Sequence, residues 1–531
     1  MGKNAAFRFI AKHQDALQLG AALLFLGLVG VSAHVMGSTS AGLTPAATWL
    51  LVVATAVGVY MAMNIGANDV ANNMGPAVGS GAMTMGAALA VAALFEALGA
   101  IVAGGEVVNT IKSGIVDASQ FTDADTYVQV MLAALLAAAL WLNLATALGA
   151  PVSTTHSIIG AIMGAGIAAG GWGLINWYNV GSIAVSWVVS PLMGGALAAG
   201  FLYVIKRSVT YRSDRTDAAR RVVPLLIALM VWAYTTFMLL KGMGRLLTIG
   251  FLEALLAGAV LALVVWWLSR KPFARLASRQ RSGKDGVNRL FTWPLICSAA
   301  LLSFAHGAND VANAVGPLAG IYEALQGGAV AGAAVSPLWI LVIGALGLSV
   351  GLVLYGSKLI RTVGREITEL DNMRAYAIAM AVAITVITAS QLGIPVSTTH
   401  IAIGGVFGVG FLRELLKVNY AKMKVVVFSG HQGADRAEVE AYLHRFEAAE
   451  VQEKTRMLAE MKRRTKQREA TETAEGAFLA KKEQRAMKKA IKKEIVKRSA
   501  VMRIVAAWII TVPATAVLAA ILFYIVRAVL N

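Results

Sequence analysis

Apolar runs of membrane-spanning length alternate with short polar breaks along most of the chain. The first covers 19–37, behind Lys3, Arg8 and Lys12, and others follow near 47–65, 84–104, 128–148, 155–170 and 180–205. A central pair lies near 222–242 and 247–268. A second series covers 291–306, 332–356, 374–392, 398–412 and 504–528. A helix needs about 20 apolar residues to cross the hydrocarbon core, so the pattern predicts an all-α polytopic membrane protein with about 12–13 transmembrane helices. The run at 19–37 is longer than a signal-peptide core. It reads as an uncleaved extra span, making 1–46 a segment of its own. One stretch breaks the pattern. Residues 431–500 are rich in Lys, Arg, Glu and Ala and lack proline. Val439, Tyr442, Leu443 and Phe446 recur there at helical spacing, which predicts one or two amphipathic helices in water. Such a segment reads as a solvated insertion, or as a docking site for a cytoplasmic regulator or anionic lipid.

Charge orients the pattern. The 531 residues carry 47 Lys and Arg against 29 Asp and Glu, and only 14% of positions are charged. The basic excess sits in three places. Residues 206–221 hold six Lys/Arg and two Asp, 270–290 hold seven and one, and 413–503 hold 23 Lys/Arg and 13 Asp/Glu. Basic loops stay on the cytoplasmic side. All three segments, and the N-terminus, are therefore expected in the cytoplasm, and the C-terminus outside. Because the excess lies between apolar spans, it speaks against nucleic acid as a partner. The single Cys297 excludes an internal disulfide, and no Cys/His cluster marks a zinc site.

The chain repeats itself. Gly66-Ala67-Asn68-Asp69-Val70-Ala71-Asn72 recurs as Gly307 to Asn313, and Pro151-Val152-Ser153-Thr154-Thr155-His156 recurs as Pro395 to His400. A looser element, Trp187 to Pro191, is echoed by Trp508 to Thr511 and Pro513. The expected organisation is repeat 1 at 47–205, basic loops and linker helices at 206–290, and repeat 2 at 291–412. A basic helical insertion at 413–503 and a final span at 504–531 complete it. The insertion makes the junction after the second PVSTTH element cytoplasmic. The matching junction, 171–179, is short and uncharged and lies one span away from a basic loop. Equivalent points thus fall on opposite faces, as in inverted repeats that bind substrate at their interface near the bilayer midplane.

The repeated motifs carry the chemistry. A carboxylate inside an apolar span is costly and marks function. Asn68 and Asn72 share a helix face with Asp69 between them, and so do Asn309 and Asn313 with Asp310. Gly66, Gly75-Pro76, Gly307 and Gly316-Pro317 bracket these stretches, where helices are expected to break and free carbonyls. Amide, carboxylate and carbonyl oxygens suit a small hard cation such as Na+. In PVSTTH, proline suits the first helical position, and Ser and Thr sit where free N–H groups meet an anion. N-capping by the hydroxyls is the plainer reading. Two facing copies would surround one tetrahedral oxyanion with hydroxyls. Neither motif holds Lys or Arg, so helix ends and co-bound cations must neutralise the anion. His156 and His400 close these motifs, either as proton carriers or as helix-packing hydrogen bonders. Glu96 has Gly344 at the equivalent place in repeat 2 and is a further proton or coupling candidate. Lys112 and Asp117 read as an interfacial turn.

On these residues the sequence resembles the PiT family of inorganic phosphate transporters. The two GANDVAN elements, the two PVSTTH elements, Phe95-Glu96 and the stretch Thr110 to Asp117 carry the likeness, which covers 47–412 and 504–528. It is closer to the sodium-coupled branch. The resemblance implies inverted repeats with re-entrant hairpins bearing the STTH elements, phosphate as substrate, and a homodimer in a plasma (inner) membrane. It implies phosphate contacts at Ser153, Thr154, Thr155, Ser397, Thr398 and Thr399. It implies cation contacts at Asn68, Asp69, Asn72, Asn309, Asp310 and Asn313, with sodium as the metal. No cofactor is implied beyond the co-transported Na+ or H+. The expected function is phosphate import by cation symport with alternating access. A proton or metal-phosphate version and a sulfate carrier are the alternatives. An enzyme acting on a phosphorylated lipid would need a basic cluster or metal-bound nucleophile beside the motifs, and there is none. A passive channel favours rings of like subunits instead.

Overall fold

The computed structural model describes residues 14–40, 43–121, 123–150, 152–242, 249–280, 283–327, 337–366, 370–428 and 498–530. Helices account for nearly all of them, and no β-strand forms among the described residues. In chain order these are α1 Gln14–Thr39, α2 Pro45–Gly79, α3 Met85–Ala103, α4 Gly105–Ser113, α5 Ala124–Ala147, α6 Thr154–Gly170, α7 Trp177–Ile205 and α8 Arg215–Phe237. There follow α9 Phe251–Ser278, α10 Lys284–Leu290, α11 Thr292–Asp310, α12 Ala312–Leu325, α13 Leu338–Glu366, α14 Asn372–Gln391, α15 Thr398–Phe428 and α16 Arg498–Leu530. Eleven helical stretches among the described residues are long and apolar enough to cross a membrane. The chain is a multi-pass membrane protein.

Polar caps set several helix starts. Thr44 accepts a hydrogen bond from the Ala47 amide, with Pro45 opening α2, and Asp123 and Asp371 cap α5 and α14 in the same way. Each carboxylate or hydroxyl satisfies an N–H that the helix itself leaves free. Outside, α1 lies against α2 and α13, where Ala22 and Val29 meet Val59, Met63 and Ile343. Its other face, with Leu23, Leu24 and Leu28, is exposed, as is that of α9 with Leu252, Val260 and Leu263. In a bilayer, lipid replaces water as the solvent for those faces.

The interior is laced across the two halves. α2 of the first half packs on α13 of the second, and α11 of the second packs on α3 of the first. Likewise α6 packs on α16, and α15 on α7. Each pair is the other's counterpart with the halves exchanged. Small residues allow the close approach. A methyl group on Gly66 would run into the Leu348 carbonyl, and one on Gly307 into the Glu96 carbonyl. These glycines therefore seat one backbone on another. The expected helix breaks at the glycines do not occur. α2 runs unbroken through Gly66 and Gly75-Pro76, and α12 runs through Gly316-Pro317. Only Val311 separates α11 from α12, with helical dihedrals of −57° and −31°. Two further boundaries differ from expectation. α15 continues to Phe428, past 412, and α16 starts at Arg498. The body of the basic insertion, 429–497, lies outside the described residues.

Candidate functional site

Two hairpins build the site. α5 turns into α6 and α14 into α15 through short extended stretches, with Gly149 at φ 70° and Gly393 at φ 66°, a backbone that favours glycine. The starts of α6 and α15 thereby meet. Thr155 Oγ1 donates to the Val396 carbonyl at 2.9 Å, and Thr399 Oγ1 lies 3.5 Å from the Val152 carbonyl. Free carbonyls thus reach the centre from the hairpin tips, not from the GANDVAN helices. Ser153 and Ser397 cap their helices, accepting from the His156 and His400 amides at 3.1 and 3.2 Å. In this conformation the plainer capping role holds for the serines. The threonines face inward.

The two aspartates receive those threonines. Asp69 Oδ1 accepts from Thr399 Oγ1 at 2.9 Å and from Asn72 Nδ2 at 3.1 Å. Asp310 Oδ2 accepts from Thr398 Oγ1 at 3.0 Å and from Thr154 Oγ1 at 3.4 Å. Asn72 also donates to Thr399, at 2.9 Å, and Asn313 to Thr155, at 3.2 Å. Asn68 and Asn309 hold the hairpin tips instead. Asn68 donates to Thr146 and the Ala150 carbonyl, and Asn309 to Ser390 and the Ile394 carbonyl. The contacts of Asn68 and Asn309 match across the halves, as do those of Asn72 with Thr399 and Asn313 with Thr155, whereas the two carboxylates take different donors.

A second layer has no counterpart. His306 Nε2 lies 3.2 Å from Asp310 Oδ2 and 3.7 Å from Asp69 Oδ2, and its Nδ1 lies 3.3 Å from Glu96 Oε1. Asn73 donates to the same Glu96 oxygen at 2.8 Å. Glu96, unmatched by the repeat, is thus met by a histidine that is unmatched too: Ile65 stands at the equivalent place in the first half. All of these side chains are buried. Asp69 Oδ2, Asp310 Oδ1, Asn68 Oδ1, Asn313 Oδ1 and Glu96 Oε2 have no hydrogen-bond partner. Buried oxygens rarely stay so without reason. Asp69, His306 and Asp310 each bring a ligand atom within 4.8 Å of the others. A set dominated by hard oxygens fits a small cation.

The remaining candidates lie further off. The rings of His156 and His400 are 4.4 Å apart, and His156 stacks on Trp187 at 3.6 Å. Lys112 lies in the last turn of α4, not in a surface turn. It is fully buried and pairs with Glu323 at 2.8 Å, tying α4 to α12. Asp117 does lie in an exposed turn, where hydrogen bonds from Ser119 and Gln120 hold its carboxyl below the usual range. Sequence reasoning missed His306, Asn73, Thr146 and Ser390. His306 was findable: it immediately precedes the second GANDVAN copy, where Ile65 precedes the first.

The centre is thus a pair of buried carboxylates held between two duplicated hairpins. The sequence profile described as the phosphate transporter family matches residues 65–519. The chain belongs to the phosphate transporter family. This transporter is 49% identical over 519 residues to a candidate phosphate permease of Helicobacter pylori strain J99, covering 96% of this chain and 95% of that one. It is 39% identical over 383 residues to a candidate phosphate permease of Pyrococcus furiosus, covering 72% and 92%. A solved structure, the sodium-dependent phosphate transporter, superposes with a TM-score of 0.72 at 30% identity, covering 90% of this chain and 99% of that one. The transporter is not an enzyme, and phosphate is its substrate.

Proposed function

We propose that the transporter couples phosphate to Na+ at one shared centre, with Asp69 and Asp310 on the cation and the threonines of α6 and α15 on phosphate. One observation carries this. The hydroxyls expected on phosphate are hydrogen-bonded to the carboxylates expected on the cation. Phosphate can take Thr154, Thr398 and Thr399 only by displacing those carboxylates. Two buried carboxylates stripped of donors are unfavourable unless a cation arrives to balance them. Conversely, a cation on the carboxylates frees the hydroxyls to face an anion at two helix N-termini. Each ligand therefore prepares the place of the other, without Lys or Arg at the centre. The exchange of halves in the helix packing supports inverted repeats that open in turn to the two faces. The similarity to a sodium-dependent phosphate transporter supports Na+ as the ion. The placing of His306 between Glu96 and the aspartates favours a proton-coupled version as the second reading.

Radiolabelled phosphate uptake into proteoliposomes tests this. An inward Na+ gradient at clamped pH should drive uptake, and a pH gradient without Na+ should not. The reverse would transfer coupling to the proton. A cysteine replacing Gly173 should be labelled from outside and one replacing Ser282 only from inside, and the opposite pattern would refute the orientation.

A further inference from the structure

The α2 stripe that reaches the centre begins nearer the surface, and only in one half. Tyr60, Asn64, Asn68 and Asn72 are spaced four apart and share a face of α2. Asn64 Nδ2 donates to the Tyr60 carbonyl at 2.9 Å, and Asn143 Nδ2 of α5 donates to Asn64 Oδ1 at 3.3 Å. Exposure falls from Asn143 and Tyr60 to Asn68 and Asp69. Asn143 is exposed and Tyr60 half-buried, Asn64 is 6% exposed, Asn68 1% and Asp69 0%. Its inner end holds two buried oxygens without partners, Asn68 Oδ1 and Asp69 Oδ2. In the other half the equivalents of Tyr60, Asn64 and Asn143 are Leu301, Ala305 and Ile387, all buried. That side is plugged with apolar groups although the two centres match.

An exposed amide within a membrane-spanning helix is costly in lipid. Backbone outside a helix is not found facing lipid at all. Yet α5 closes at its C-cap Leu148, five residues beyond Asn143, and the non-helical Gly149 and Ala150 that follow are half-buried rather than covered. Both facts place water on this side. We propose that Tyr60, Asn64 and Asn143 form a hydrophilic access site, present in one half only. There a small hard cation exchanges water for amide and carbonyl oxygens before it reaches Asn68 and Asp69. The assignment of the cation as Na+ rests on the coupling proposed above.

Two readouts test it in the full-length protein. First, Cys297, the one native cysteine, is replaced by serine. Asn143→Cys in that background should react with a charged, membrane-impermeant thiosulfonate, more slowly when Na+ is present, whereas Ile387→Cys should not react. An Asn143→Cys protein that is inert to the charged reagent but modified by an apolar maleimide would show lipid on this face and overturn the proposal. Second, Asn64→Ala with Asn143→Ile copies the plugged half. The Na+ half-saturation of uptake should rise about three- to tenfold, with phosphate half-saturation at saturating Na+ unchanged. Wild-type uptake that depends on Na+, with no change in the variant, overturns the access site alone. Wild-type uptake that ignores Na+ overturns the coupling and the sodium role of this site together.

Discussion

Asp69 and Asp310 stand at equivalent positions, and the asparagines and threonines around them match across the halves. The groups one shell further out do not. On the Asp310 side the preceding turn of α11 carries His306, where α2 carries Ile65. On the Asp69 side α3 brings Glu96, where α13 brings Gly344. The two exceptions meet at 3.3 Å. A strictly symmetric site would hold two carboxylates facing each other with nothing between them. The histidine and glutamate give the site a direction, and the hydrophilic stripe on α2 gives it another. In the proposed function, matched residues carry the binding chemistry, and unmatched ones distinguish its two sides.

The comparison can be broken at its matched core first. Asp69→Asn and Asp310→Asn should each cut coupled uptake by more than about 100-fold, the size of losing roughly 3 kcal/mol of cation binding. The variants should still insert and purify as the wild type does. Normal uptake in both would remove the carboxylates from the cation site. The unmatched layer comes next. His306→Ile leaves Glu96 and both aspartates buried beside an apolar side chain, and breaking a buried pair this way costs about 3–5 kcal/mol. Its thermal midpoint in detergent should fall clearly. Adding Glu96→Gln, which keeps the Asn73 contact, should recover part of the loss. Additive losses would mean that the two residues are not partners.

Smaller effects sharpen the same contrast. Asn72→Ala removes contacts to both Asp69 and Thr399, whereas Asn313→Ala removes contacts to threonines only. Both should weaken uptake by about tenfold, near 1.4 kcal/mol. The Na+ half-saturation should move more for Asn72→Ala. Equal shifts would erase that difference between the halves. The smallest effect belongs to Asp117, outside the site. Its carboxyl is held low by Ser119 and Gln120, so its stabilisation is present above the usual carboxylate range and is lost as pH falls through the lowered value. Asp117→Asn should leave uptake intact and slightly flatten the acid side of the stability profile. A large change there would give the turn a role in transport.

Much of this was legible in the residues alone. The duplicated GANDVAN and PVSTTH elements supplied twelve candidate site residues, and the structure gathers Asp69, Asp310 and the four threonines into one network. Duplication is what made them readable, because a repeated motif stands out against apolar spans. The glycines were misread for a physical reason. A glycine that breaks a helix and one that seats a neighbouring backbone have the same local sequence, and only the crossing partner decides. Lys112 failed similarly: its partner Glu323 lies 211 residues away. His306 is harder to read because a repeat stands out by its identities, while the meaning of His306 lies in a difference.

The central claim is that phosphate and cation share one hydrogen-bonded centre. Equilibrium binding of labelled phosphate to the purified transporter, measured as Na+ is varied at constant ionic strength and pH, tests it most directly. The account predicts that phosphate affinity rises steeply with Na+ in the wild type and loses that dependence in Asp310→Asn. Phosphate bound equally tightly with and without Na+ would contradict it.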